Sequence, residues 1–161
     1  MFIVDGQVHI WAANTPERPW PVKHPPHLPH HGWPAYFKDD LLQAMDLAGV
    51  QRAVIVPPSW EGEHNDVALE AARLHPDRFA VMGRLDLNAP GARGQIATWR
   101  RQPGMLGLRF TTKDPMKDWL WAEAEAAGVP IMMGSTKLAA RATERHPELK
   151  LVIDHLQFSQ T

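Results

Sequence analysis

The sequence predicts an α/β fold of parallel strands joined by helices, on three observations. Short apolar runs alternate strictly with segments of helical period, six of the first against five of the second. The runs are β-branched or apolar almost throughout, as parallel strands covered on both faces require. Each helical segment is closed by glycine or proline. Strict alternation makes every connection a crossover, and crossovers between parallel strands are right-handed.

Taken in order, the strand-like runs are Phe2–Ile10, Arg52–Val56, Phe79–Leu85, Met105–Phe110, Val129–Met133 and Leu149–Ile153. The first helix spans Tyr36–Ala48, with Phe37, Leu41, Met45 and Ala48 on one stripe and Gly49 as its stop. Asn65–His75 follows, with Asn65 as the N-cap and Pro76 as the stop. Pro90–Arg101 ends before Pro103-Gly104, and Pro115–Ala127 begins after Asp114 and stops at Gly128. Thr136–His146, closed by Pro147, completes the set. Two architectures fit this alternation: a doubly wound open sheet, and most of a (β/α)₈ barrel. The open sheet suits the length, but no Gly-rich phosphate turn follows the first strand.

A chain of 161 residues that is 44% apolar suits one globular domain, residues 1–161, with a sizeable core. With 17 Lys and Arg against 18 Asp and Glu, and no basic block, it lacks the footprint that nucleic acid or an anionic membrane needs. Cysteine is absent, which fits a reducing compartment, and no export signal or spanning run is seen, so the expected location is the cytoplasm.

Asp5-Gly6-Gln7-Val8-His9 is the chemically richest stretch. Alternation along a strand puts Ile3, Asp5, Gln7 and His9 on one face. A polar inner face at the C-terminal end of a first strand suits a metal or an acid/base group in a barrel enzyme. Asp5, deeper than His9, reads as a buried partner that orients a histidine or arginine. Residues 12–35 form a Pro/His-rich lid loop with seven prolines, longer than compact domains favour. In polyproline II geometry His24, His27 and His30 share an edge, and a solvated lid is favoured over a metal site there. Trp11 and Trp60 read as pocket walls, with Trp20, Trp33 and Tyr36 as further apolar cover. Trp99, Trp119 and Trp121 read as packing. Arg109 points inward, and an inward arginine needs a carboxylate or a substrate anion.

Val4-Asp5-Gly6-Gln7-Val8-His9-Ile10-Trp11, His75-Pro76-Asp77-Arg78-Phe79, Gly107-Leu108-Arg109-Phe110 and Leu151-Val152-Ile153-Asp154-His155-Leu156 together resemble the amidohydrolase-2 family. That family comprises metal-dependent TIM-barrel hydrolases, lactonases and decarboxylases. The resemblance runs along essentially the whole chain and implies an incomplete parallel (β/α) barrel of the TIM type, about six strands and five helices, the N-terminal part of a (β/α)₈ barrel. Family members carry Asp-x-His-x-His in the first strand, and both histidines bind the metal. Here the second is His9 and the first is Gln7. The histidine many members place on the fifth strand is missing from Val129–Gly134, whereas His155 matches the one on the sixth. The family's catalytic aspartate on the eighth strand is expected beyond Thr161. Asp154 is expected to face the helices, and Asp86 and Glu61 lie on the catalytic side with nothing to mark either as a base.

The resemblance implies a hydrolase of a small carboxylated lactone or related C–O/C–N substrate, with water as nucleophile. His9, His155 and Arg109 are the catalytic candidates, and Arg109, Gln7, Trp11 and Trp60 the substrate-binding ones. His9 and His155 would hold one divalent ion, zinc or manganese, that is weakly bound or absent, because a carboxamide is a poorer zinc ligand than imidazole. Two alternatives stand beside this. One is a zinc-assisted decarboxylase of an unsaturated dicarboxylate; the other is an inactive partial barrel acting as an oligomerising or assembly partner. A homo-oligomer is the expected assembly.

Overall fold

A computed structural model describes residues 1–21, 33–110 and 117–155. These carry six strands and five α-helices in alternation: β1 (Val4–Val8), α1 (Lys38–Ala48), β2 (Arg52–Ile55), α2 (Asp66–Leu74), β3 (Phe79–Gly83), α3 (Ala92–Ile96), β4 (Met105–Phe110), α4 (Asp118–Ala127), β5 (Ile131–Met133), α5 (Thr136–Arg145) and β6 (Leu151–Ile153). The fold is an incomplete TIM-like α/β fold. Two compact units are distinguished, Met1–Arg84 and Leu85–Thr161.

In the first unit β1 pairs with β2 and β2 with β3, all parallel. Its core is Ile55, Val56, Val81 and Phe79 from the strands, packed with Leu41 and Met45 of α1 and the alanines Ala68, Ala71 and Ala72 of α2. Small residues on α2 let that helix lie close to the sheet. Leu41 and Met45 are the part of the expected α1 stripe that is buried; Phe37 and Ala48, at its ends, are exposed. Gly49 closes α1 by donating its N–H to Asp46 and Met45 carbonyls.

In the second unit β4 pairs with β5 and β5 with β6, again parallel. Leu108, Ile131, Leu120 and Ala124 are fully excluded from solvent, and burial of each large aliphatic side chain contributes about 1.5–3 kcal/mol. Trp99 packs as expected, buried, with its indole N–H given to the Gly107 carbonyl at 2.9 Å. Ser135 caps α5 by accepting the Leu138 N–H. The third helical segment is shorter than its period suggests: α3 stops at Ile96, and a 3₁₀ turn at Trp99–Arg101 replaces its end. α4 starts at Asp118, and the expected Asp114-Pro115 cap lies outside the described residues.

Two expectations need correction, and a third is met in position but not in bonding. β1 and β6 are not covered on both faces, since Val4 and Val152 are 50% and 41% exposed. β1 pairs with β2 alone and β6 with β5 alone among the described residues, so each is an edge. Asn65 sits at the α2 N-cap without a side-chain bond to the helix. Its amide instead grips both main-chain groups of Arg84, accepting its N–H and donating to its carbonyl, each at 2.8 Å. Finally, β1 does not alternate evenly. Asp5 aligns with Ala53 but Val8 with Ile55, so three steps on β1 match two on β2. The extra residue breaks the alternation that would put Asp5 on the face of Gln7 and His9.

Candidate active site

His9 follows β1 directly and is partly buried. Its Nδ1 lies 2.6 Å from the Val56 carbonyl oxygen, one residue past the end of β2. A carbonyl only accepts, so Nδ1 carries the proton, and in the neutral ring the lone pair is on Nε2. The main chain of the neighbouring strand thus does the orienting task the sequence assigns to Asp5. Asp5 itself is exposed, and its Oδ1 accepts the Gln7 N–H at the irregular step of β1. Gln7 is half-buried.

Aromatic rings gather on one side of His9 on this unit. Trp60 meets it edge-on, with centroids 6.1 Å apart. Trp11 and Trp20 flank Trp60 at 5.8 and 6.4 Å. Trp11 is 4% exposed and backs Trp60 rather than forming an open wall. It also stacks on Tyr36, and the two residues exchange main-chain hydrogen bonds of 2.8 and 2.9 Å. Trp33 stands edge-on to Tyr36 and is half exposed. Burial, and then the nearby Asp40 charge, raises the Tyr36 hydroxyl pKa.

Beside Trp60 lies a charge cluster with no local sequence signature. Glu61 is 2% exposed; its Oε1 accepts the Ala12 N–H at 2.9 Å and Arg18 Nε at 3.3 Å. Desolvation pushes its carboxyl pKa up, against the opposing pull of the Ala12 N–H and Arg18. The Arg18 fork continues to Asp66 with bonds of 2.6 and 2.8 Å. The hydrogen bond from Arg18 holds the Asp66 pKa down, and the same bond raises that of Arg18. Arg84, buried just past β3, donates Nε to the Gly62 carbonyl at 3.1 Å and Nη2 to Glu63 at 3.3 Å. A lone arginine closing an apolar run is the one sequence signal that could have found it. Asp86, the acidic residue picked out after β3, is exposed.

The second unit brings Arg109 and Asp154 together. Arg109 Nε donates to Asp154 Oδ2 at 2.9 Å, with side chains 12% and 1% exposed. Asp154 therefore does not face the helices. β6 ends at Ile153 and His155 has φ 57°, so strand alternation no longer governs these residues. The Asp154 N–H is held by the Met133 carbonyl at 3.0 Å, and a Cβ on Gly134 would lie only 3.0 Å from Oδ1. Oδ1 is buried and has no hydrogen-bond partner among the described residues. His155 is half exposed, its Nε2 3.9 Å from Asp154 Oδ2.

Gln7, His9, Trp11 and Trp60 thus gather on the first unit, and Arg109 and His155 on the second. His24, His27 and His30 lie outside the described residues. Among the described residues, no three His, Asp or Glu converge in a way that could hold a metal ion, and β5 carries no histidine. That donor set does not fit a three-ligand zinc site. No helix among them is long and apolar enough to cross a membrane.

An L-fucono-1,5-lactonase of Burkholderia ambifaria is 26% identical over 167 residues, covering 96% of this chain and 56% of the lactonase. The chain thus spans little more than half the length of that curated relative. A probable 2-pyrone-4,6-dicarboxylic acid hydrolase from Acinetobacter baumannii, solved with citric acid bound, superposes with a TM-score of 0.71 at 16% identity, over 95% of this chain and 58% of that one. A Burkholderia multivorans amidohydrolase with bound zinc gives 0.67 at 19%, over 96% and 58%. At such identities these two structures speak to the fold alone. The amidohydrolase family model matches residues 4–160, nearly the whole sequence, and the chain belongs to that family.

Proposed function

We propose a hydrolase that opens a small carboxylated lactone, or cleaves a related C–O/C–N substrate, with water as nucleophile. The observation that carries this reading is the His9 ring, fixed by the Val56 carbonyl in the tautomer that leaves Nε2 basic. Nε2 takes a proton from water as the oxygen attacks the lactone carbonyl. The ring C–O bond then breaks, and the imidazolium returns the proton to the departing alkoxide. On the second unit Arg109, its Nε held by Asp154, offers its remaining N–H groups to a carboxylate. Gln7 supplies a hydrogen bond to the developing oxyanion. Zinc in the family would polarise the carbonyl and acidify water; no step here is routed through it, because the described donors do not fit such a site.

The test is acid release in a pH-stat from carboxylated and neutral lactones, with wild type and His9→Asn. The variant should lose about 10²–10⁴-fold in kcat, the usual share of a general base. A wild type inert to every lactone, or a variant as fast as wild type, would sink the proposal.

A further inference from the structure

Trp60, whose edge meets His9, sits on the short 3₁₀ turn Ser59–Glu61. Such a turn has little stability of its own. Here it is gripped from two directions. Arg84, beyond β3, holds the following carbonyl of Gly62. Arg18 reaches it from the segment 12–21, which leaves the end of β1 and crosses the turn.

That segment is pinned at four points. Ala12 N–H and Arg18 Nε share Glu61 Oε1. The remaining fork of Arg18 is bound to Asp66 in the first turn of α2. Trp20 gives its indole N–H to the Ala12 carbonyl at 3.2 Å, donates its main-chain N–H to Asn14 Oδ1, and lies against Trp60. Pro21 closes on Gly62, where a Cβ would come within 2.8 Å of its ring and where φ is 78°. One guanidinium therefore ties three pieces of chain: the segment itself, the turn bearing Trp60, and the start of α2. Lysine could not do this, since an ammonium lacks the planar fork that serves two carboxylates at once.

We propose that Arg18 is a positioning residue that sets the Trp60 wall beside His9 and so fixes which ring-shaped substrates fit. It acts through Glu61 and touches no reacting atom. The functional arm of this proposal rests on the hydrolase reading; the structural arm does not.

The experiment compares wild type with Arg18→Lys and with the double variant Arg18→Gln/Glu61→Gln. The double variant removes the buried carboxylate together with its partner, and so covers the case in which the single one fails to fold. Amide hydrogen exchange of residues 12–20 should speed up about tenfold in both, against about 1.4 kcal/mol of lost local holding. The His9 ring-proton resonances should move as the Trp60 edge shifts. With a turned-over lactone, KM should rise about tenfold while kcat stays within about threefold, the signature of lost substrate fit. Unchanged exchange, an unmoved His9 resonance, or an unchanged KM each overturns the proposal. If wild type turns over no lactone, the hydrolase reading falls by itself, and exchange with the His9 resonance decides the role of Arg18.

Discussion

Replacing either member of the Arg109–Asp154 pair should be costly, and the two losses should be unequal. Asp154 is 1% exposed and Arg109 12%, with the bond at 2.9 Å. At an effective dielectric near 20, charges about 4 Å apart attract by about 4 kcal/mol. Removing one partner of a buried pair leaves the other charge uncompensated and typically costs about 3–5 kcal/mol. Arg109→Met strands the deeper carboxylate and should fall at the upper end, about 5 kcal/mol. Asp154→Ala strands a guanidinium that can turn toward water, and should cost about 3 kcal/mol. The double variant Arg109→Met/Asp154→Leu removes both charges and fills the space, so its loss should be far below the sum, with a coupling of at least about 2 kcal/mol. Urea unfolding of the four proteins, followed by circular dichroism, measures the cycle. Additive losses, or an Arg109→Met loss below about 1 kcal/mol, would refute the view that these charges depend on each other.

Three further expectations follow from the two units. Gln7→His should tighten zinc binding by about tenfold or more, because imidazole is the better ligand; calorimetry showing the same affinity as wild type would count against a vestigial metal site on β1. Arg109→Lys should raise KM for acidic lactones far more than for neutral ones through loss of the fork, and equal losses would remove the anion role. The folded-state pKa of Glu61 is raised above the ordinary 4.5, so its contribution is most favourable below about that pH and is lost as pH rises through the folded value. Wild type should therefore gain on Glu61→Gln as the solution is acidified from pH about 7 toward 4. Thermal melts across that range would contradict this if the gap widened against wild type.

Much of the fold was legible because its signals are local. Gly49 and Gly128 end α1 and α4 where the helical period ends, and the six strand-like runs appear in order. The site was legible only in part. The sequence singles out His9 by its place at a strand end, and Arg109 by the cost of pointing a charge inward. It does not single out the partner of either. Arg109 meets a carboxylate 45 residues away, and His9 a carbonyl 47 residues away, separations that no residue spacing encodes. The uneven step in β1 was invisible for a related reason: alternation is a property of a regular strand, and a bulge leaves no required residue type behind. Glu61 and Arg18 were missed as partners because an acidic and a basic residue in loop segments ordinarily read as solvated.

The hydrogen bond that orients His9 is accepted by a main-chain carbonyl, and this changes what a mutational survey can detect. Side-chain replacements at Val56 leave the acceptor in place, so scanning that position will report packing and miss the orienting role altogether. The property is written in the alignment of two neighbouring strands. Inserting a glycine between Val8 and His9, which alters no candidate functional group, should set His9 one step past Val56 and carry its ring away from its acceptor. Nitrogen chemical shifts of the imidazole would report the event as a mixture of the two neutral tautomers. A ring that kept a single tautomer after the insertion would show that something other than strand alignment selects it.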